Sequence, residues 1–294
     1  MNRPSFPLYA SVNINTTCNL NCIYCYMKPH KNKLMPVEDF KIVVDQLAAG
    51  QIFYILISGG EPFLHPCINE IITYACENVN EVSIVTNGTM ISQKHLRFLK
   101  DSGISNLHMQ VSLDSIIEEE NVYLRNFRPE VIFRVLEELV KIGIKPAVGM
   151  VITKYNIKSI HQSMSYLQEY ANHFNIMVLQ NTVSDRNLQD KLGVTEEDVD
   201  AMYKRIDALR TEYGFSVTLP KDLIGNRNCT ACGSPCAAGF TYLAIDPDLK
   251  VRPCDRVTNV FVGNLRKNTI AQIWDSPELA TINASEIPIC SEFK

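Results

Sequence analysis

The chain has 294 residues, enough for one main domain and a small appendage, and its 46% apolar and 20% charged content suits a globular protein with a sizeable core. A net charge of −4 gives no electrostatic reason to bind a nucleic-acid backbone. The opening residues lack the apolar stretch of a signal peptide and nowhere do about 18 apolar residues run together, so a cytoplasmic location is expected, with no membrane or nucleic-acid partner.

From residue 8 to about 180, β-branched runs alternate with stretches of helical period, the pattern of βα units around a parallel sheet. LYASVNIN reads as the first strand and leads into a cysteine-rich loop. Pro36 opens a helix with Phe40, Val43, Val44 and Leu47 on one face, and Gly50 stops it. FYILIS is the second strand, followed by a helix from Pro66 to Asn78, the strand EVSIVT and a helix from Ser92 to Gly103. LHMQVSL is the fourth strand, and EVIFRVLEELVKIG is a helix with Val131, Val135, Leu136, Leu139 and Val140 on one face. KPAVGMVIT is the fifth strand, IHQSMSYLQEYANHF a helix and IMVLQ the sixth strand, which makes six units.

A helix from Thr195 to Tyr213 begins TEED, like a capping box with Asp at the third position, and Gly214 ends it. Its face of Val199, Met202, Ile206 and Leu209 is expected to bridge the sheet edge and the tail. After Pro220, CAAGFTYLAIDPDLKVRPC alternates like a hairpin turning at DPDLK, and TIAQIWDSPEL is one short helix. The expected division is therefore 1–190 for the core, 191–219 for the bridging helix and 220–294 for the tail.

Ten cysteines in a reducing compartment argue for metal or catalytic chemistry over a disulfide framework. Cys18, Cys22 and Cys25 form one group; Cys229, Cys232, Cys236 and Cys254 form another, with Cys290 near the end. Cys67 and Cys76, between the groups, are expected to pack as small hydrophobes. Three thiolates are too few to close a tetrahedral zinc site, for which His30 is the nearest fourth ligand, but they suit a metal group with one open position. In a [4Fe–4S] cluster held by three cysteines, one iron has no protein ligand.

CxxxCxxC with Tyr24 before the last cysteine, followed by SGGEP at the end of the second strand, resembles the radical S-adenosylmethionine (SAM) superfamily, from about residue 8 to at least 275. The resemblance implies an α/β fold, a partial (β/α)6 TIM-like barrel, which agrees with the count of units. It implies that Cys18, Cys22 and Cys25 hold a [4Fe–4S] cluster and that Ser58, Gly59, Gly60, Glu61 and Pro62 meet the methionine part of SAM. The glycines allow close approach, and the Glu61 carboxylate is expected beside the SAM ammonium. Thr86 and Asn87 of TNG and Ser112 and Asp114 of SLDS are implied to line the ribose and substrate side; each singly also reads as a strand-to-helix turn. Val151 in VGMVIT is implied to pass the adenine. The chemistry implied is one-electron cleavage of SAM to a 5′-deoxyadenosyl radical that takes a hydrogen atom from substrate, fed by an external reductant such as flavodoxin or ferredoxin.

The second cysteine group fits structural zinc and iron–sulfur equally by spacing. Beside such a core, however, the hairpin and the following GNLRKNTIAQIWDSPEL resemble the SPASM extension or its shortened form, the twitch. That implies one auxiliary [4Fe–4S] cluster held by Cys229, Cys232, Cys236 and Cys254, with Cys290 as substitute for Cys229. The tail departs from a complete SPASM pattern, lacking its dense later cysteines and its usual hairpin glycine. A leftover Cys229 or Cys290 is the alternative hydrogen-atom donor, by likeness to radical SAM epimerases.

Two substrate classes follow. The main expectation is oxidation or epimerisation of a small polar natural product such as a carbohydrate or aminocyclitol, because only seventeen residues precede Cys18 and leave no room for a leader-recognition domain. The alternative is maturation of a ribosomally synthesised peptide by crosslinking or epimerisation. Glu118, Glu119 and Glu120 suit either an amino sugar or a solvated face.

Overall fold

The computed structural model describes residues 3–28, 32–179, 186–219, 228–229, 234–235 and 237–284. In chain order the core contains β1 (Tyr9–Asn13), α1 (Val37–Ala49), β2 (Tyr54–Ser58), a 3₁₀ turn (Pro62–Leu64), α2 (Ile68–Asn78), β3 (Glu81–Thr86) and α3 (Gln93–Asp101). It continues with β4 (Leu107–Ser112), α4 (Glu118–Arg125), α5 (Glu130–Lys141), β5 (Ala147–Ile152), α6 (Ile160–Leu167), β6 (His173–Val178), α7 (Arg186–Leu192), α8 (Glu196–Tyr213) and β7 (Ser216–Thr218). The tail supplies β8 (Asn228–Cys229), β9 (Ser234–Pro235), β10 (Tyr242–Ile245), β11 (Lys250–Arg252), β12 (Gly263–Asn264), α9 (Ile270–Trp274) and α10 (Pro277–Ala284).

Strands β1 to β7 lie side by side in sequence order, all parallel, because a helix-bearing crossover separates each from the next. On the other side of β1, β10 adds in parallel and β11 and β12 add antiparallel, so the tail continues the core sheet. The sheet is a mixed, mainly parallel α/β partial barrel whose ends, β7 and β12, do not pair with each other.

One face of each strand is apolar and packs under the helices: Val12, Ile57, Ile84, Val111, Met150 and Ile176 meet Phe40, Val44, Ile71 and Leu136 in a single core. Burying each such side chain contributes about 1.5–3 kcal/mol. The alternate positions carry Ser11, Asn13, Ser58, Ser83, Gln110, Ser112 and Asn175, with Asn175 Nδ2 donating to Gln110 Oε1 at 2.5 Å. A parallel sheet covered by helices on both faces reads apolar on both. This polar inner face marks the side on which the sheet meets ligand and water.

Several elements depart from their expected bounds. β6 starts at His173, so residues 173 and 174, expected in a helix, pair with β5 from Ala147 onward; Phe174, Ile176 and Val178 are its outward, period-two face. On α5, Ile132 and not Val131 turns to the core, and Val131 is exposed. The buried face of α8, Val199, Met202 and Ile206, packs on α6 within the core, and the chain then forms a seventh parallel strand, β7. Thr195 caps α8 as expected, accepting from the Asp198 N–H at 3.2 Å. The single expected tail helix is two, broken before Pro277, which cannot donate a backbone bond and instead opens α10.

The tail is knitted to the start of the chain. Trp274, 1% exposed, donates its ring N–H to the Pro4 carbonyl at 2.9 Å, and the Arg3 guanidinium lies over its ring. Arg266 pairs with Asp39 of α1 at 2.9 Å. Cys67 and Cys76 are half-buried, and burial pushes the Cys76 thiol up to about 12. No described helix is long and apolar enough to cross a membrane.

Candidate active site

At the C-terminal end of β1 the chain leaves the sheet as the loop bearing Cys18, Cys22 and Cys25. Main-chain and side-chain bonds hold it from several sides. The Ile23 N–H donates to the Leu124 carbonyl at 2.9 Å, Lys28 Nζ to the Cys22 carbonyl at 2.6 Å, and Asn87 Nδ2 to Asn19 Oδ1 at 3.0 Å. Asn87 Nδ2 also lies 3.8 Å from the Cys18 sulfur. Ile23 and Tyr24 pack with Val151 against Leu179, Leu188 and Leu192.

Burial raises the Cys18 thiol, and raises Cys22 to about 11; Cys25 adds to both shifts, so the three sulfurs are mutual neighbours in a water-poor loop. Such thiols lose their protons to a metal. Among the described residues no three His, Cys, Asp or Glu side chains converge on the place of a single ion. A zinc ion needs that convergence, whereas a cluster that offers a separate iron to each thiolate does not. The soft three-sulfur donor set fits an iron–sulfur cluster.

The SGGEP turn abuts the cysteine loop. Gly59 has φ +144°, and a Cβ there would sit 2.4 Å from the Asn15 carbonyl oxygen; one on Gly60 would sit 2.1 Å from that of Thr17. The glycines therefore let the turn lie against the chain entering the cysteine loop, where the Gly60 N–H donates to Asn15 O at 2.9 Å and the Glu61 N–H to Thr17 O at 2.8 Å.

Glu61 is bonded to both neighbouring turns. Its carboxylate is fully buried and accepts from Phe63 N at 3.0 Å, Thr86 Oγ1 at 2.6 Å and Asn87 N at 2.7 Å. Desolvation raises its pKa, and these donors counter the rise. Glu61 thus ties the SGGEP and TNG turns together. Pro62 is buried as the first residue of the 3₁₀ turn, Ser58 is half-buried at the end of β2, and Thr86 also accepts from Gly88 N at 2.9 Å.

Asp114, just beyond β4, is fully buried and hydrogen-bonds the Tyr24 hydroxyl. It also accepts from Val151 N at 2.9 Å and from Arg125 Nη1 at 3.2 Å. Arg125 donates to the Tyr24 hydroxyl at 2.9 Å as well, and its carbonyl lies 3.9 Å from the Cys22 sulfur. Burial works against its charge, but Tyr24, Asp114 and Cys22 hold its pKa above the ordinary value. Its buried Nε has no partner among the described residues. A buried, charged donor left open beside the cysteine loop fits an anionic group of a ligand, such as a carboxylate.

Sequence reasoning named Tyr24, Asp114 and Val151 but not Arg125, which ends α4, a helix the sequence reading did not place. The acids that open α4 do structural work. Glu120 accepts from Ser115 Oγ at 2.6 Å and Ser159 Oγ at 2.5 Å, Glu118 pairs with Arg128 at 2.9 Å, and all three glutamates sit in the first turn, where the helix dipole favours them. Ser112 is half-buried at the end of β4, in register with Gly149.

In the tail, Cys254 follows β11 by two residues. Its loop reaches over the inner face of the sheet: Asn13 of β1 donates to Asp255 at 3.0 Å, and the Arg256 guanidinium lies 3.9 Å from the Met177 sulfur of β6. The backbone of Cys229 is in β8, opposite Ser234 of β9. Cys232, Cys236 and Cys290, the side chain of Cys229, and His30 lie outside the described residues.

A parallel α/β sheet with a three-thiol loop at its C-terminal edge, an open buried arginine beside that loop and a second cysteine loop above the inner face defines a partial-barrel iron–sulfur enzyme. The chain belongs to the radical SAM superfamily, whose model matches residues 12–167, and a model described as an iron–sulfur cluster-binding domain, SPASM, matches residues 236–292. Its cofactors are accordingly SAM, a [4Fe–4S] cluster and an auxiliary iron–sulfur cluster.

Among curated proteins, the chain is similar to the antilisterial bacteriocin subtilosin biosynthesis protein AlbA of Bacillus subtilis (strain 168), at 26% identity over 97% of this chain and 63% of that protein. It is also similar to the mycofactocin maturase MftC of Mycobacterium ulcerans, at 26% identity over 93% of this chain and 76% of that protein. The chain thus spans somewhat under two thirds of AlbA. Among solved structures, Streptococcus suis SuiB bound to precursor peptide SuiA shares the fold, with a TM-score of 0.80 at 18% identity over 96% of this chain and 68% of that one.

Proposed function

We propose that this radical SAM enzyme is a peptide maturase, one that oxidises, crosslinks or epimerises residues of a ribosomally synthesised precursor. The observation that carries the reading is likeness along nearly the whole chain, tail included, to AlbA and MftC, whose names give bacteriocin biosynthesis and maturation. The fold shared with SuiB, which has been solved with a precursor peptide, supports it. The expectation of a carbohydrate or aminocyclitol substrate has less support than this alternative.

When bound, SAM and the cluster supply a carbon-centred radical that removes a hydrogen atom from the substrate. The chain's own residues bind, orient and shield. Cys18, Cys22 and Cys25 hold the cluster, and Arg125 offers its open Nε to the SAM carboxylate. Asp114 and Tyr24 keep the guanidinium in place, and Glu61 fixes the turn whose backbone edge meets the methionine part. Ile23, Val151 and Leu192 exclude water from one side of the loop, where a radical would otherwise be quenched. Cys232, Cys236 and Cys254, with Cys229 or Cys290, would hold the auxiliary cluster, which would supply a site for the electron left over in a net oxidation. An external flavodoxin or ferredoxin supplies reducing electrons.

The test is anaerobic incubation of reconstituted protein, in deuterated buffer, with SAM, reductant and any short peptides found encoded beside its gene, read by mass spectrometry. Loss of two hydrogens from a peptide, or uptake of one solvent deuterium without other mass change, is the expected outcome. Turnover of an aminocyclitol, with every peptide left unchanged, would sink the proposal.

A further inference from the structure

Arg252 ends β11, is 2% exposed, and sits beneath the Cys254 loop. Its Nε and Nη2 grip the Asp246 carboxylate in a fork, at 2.9 and 2.6 Å. Its Nη1 donates to three main-chain carbonyls of the loop: Cys254 at 3.1 Å, Asp255 at 2.6 Å and Val257 at 3.3 Å. The Val257 N–H donates back to the Cys254 carbonyl at 3.2 Å, closing the turn.

The Asp255 carboxylate carries the same network to the core. It accepts from Asn13 of β1 at 3.0 Å, hydrogen-bonds the Tyr242 hydroxyl and lies 3.7 Å from Arg252. Tyr26, one residue past Cys25, feels Asp255 and Arg252 as electrostatic neighbours. One buried cation therefore sets the backbone of a cysteine turn and links it to the strand that bears the first cysteine loop. A planar guanidinium with five donors can do this, and a lysine ammonium cannot.

We propose that Arg252 is a positioning residue for the auxiliary iron–sulfur cluster, holding the turn from Cys254 to Val257 in ligand-ready form and placing a positive charge beside the bound cluster. Ordering a turn before metal arrives removes an entropy cost from binding. Residues that orient metal ligands typically contribute about 10–100-fold in metal affinity. A nearby positive charge also favours the reduced cluster, which raises its midpoint potential.

The experiment uses the full chain carrying C18A, C22A and C25A, so that the tail alone holds iron. Two substitutions are added separately: Arg252→Met, which removes both the charge and the carbonyl bonds, and Asp246→Asn, which keeps both but removes the counter-charge. Iron loss to a chelator, the electron paramagnetic resonance spectrum and the midpoint potential are measured. Arg252→Met is expected to shed iron about 10–100-fold faster and to lower the potential. Asp246→Asn is expected to retain iron and to raise the potential. Wild-type iron retention and potential in Arg252→Met would overturn the proposal and leave Arg252 as a brace of the hairpin. Should Arg252→Met fail to fold, an unshifted potential in Asp246→Asn overturns it instead. A parent protein that binds no iron overturns the proposal together with the tail's cofactor assignment, and is told apart because Arg252 is intact there.

Discussion

Two buried arginines, each paired with an aspartate beside a cysteine loop, use their donors differently. Arg252 spends its guanidinium on Asp246 and three carbonyls of its own chain, so the Cys254 turn is finished by protein alone. Arg125, 8% exposed, holds Asp114 and Tyr24 but keeps a buried Nε without a partner among the described residues. A saturated arginine shapes a ligand loop; an unsaturated one in the same setting is shaped for something that arrives. The difference separates a turn whose donors are all used within the chain from the place where, on the function proposed above, SAM binds.

The largest effect tests the first loop. Replacing Cys18, Cys22 and Cys25 together with alanine is expected to take reconstituted protein from about eight irons to about four and to abolish SAM cleavage. A loss of all iron would instead remove the second cluster from the comparison.

Arg125→Met comes next. It strands the Asp114 carboxylate in the interior, a loss of about 3–5 kcal/mol by denaturant unfolding. Adding Asp114→Asn is expected to restore much of the stability without restoring SAM binding by calorimetry. Recovery of SAM affinity in that double variant would show that Arg125 is as structural as Arg252.

Trp274→Ala addresses how firmly the tail is held to the core. The lost ring contacts and the orphaned Pro4 carbonyl are expected to cost about 3–5 kcal/mol, and the tail iron should fall before the first-loop iron does.

The smallest effect concerns the exposed bridge between the segment after the first loop and the tail hairpin, Lys33 to Asp248 at 2.6 Å. Burial works against the Asp248 charge, but Lys33 and Lys250 hold its carboxyl below the ordinary value. Its stabilisation is therefore present above the ordinary aspartate pKa and is lost as pH falls through the depressed value. Asp248→Asn should cost about 0.2–1 kcal/mol at neutral pH and low salt, vanishing in strong acid and in high salt.

What was legible in the sequence was whatever short range dictates. The period-two runs of β1 to β5, the helical spacing of Phe40, Val43, Val44 and Leu47, the cysteine spacing and the SGGEP and TNG turns are local patterns, and each was found where the fold has it. His173 was misread because a polar residue on the inner face of a strand looks, by itself, like the outside of a helix. The pairing of β10 with β1, the inward turn of Glu61 and the convergence of Arg125 on Tyr24 and Asp114 join residues 90 to about 230 apart in sequence or turn on which face of a loop is buried. No local pattern encodes such contacts. They are decided when the packed sheet brings distant charges out of water and leaves each one only a few partners that can satisfy it.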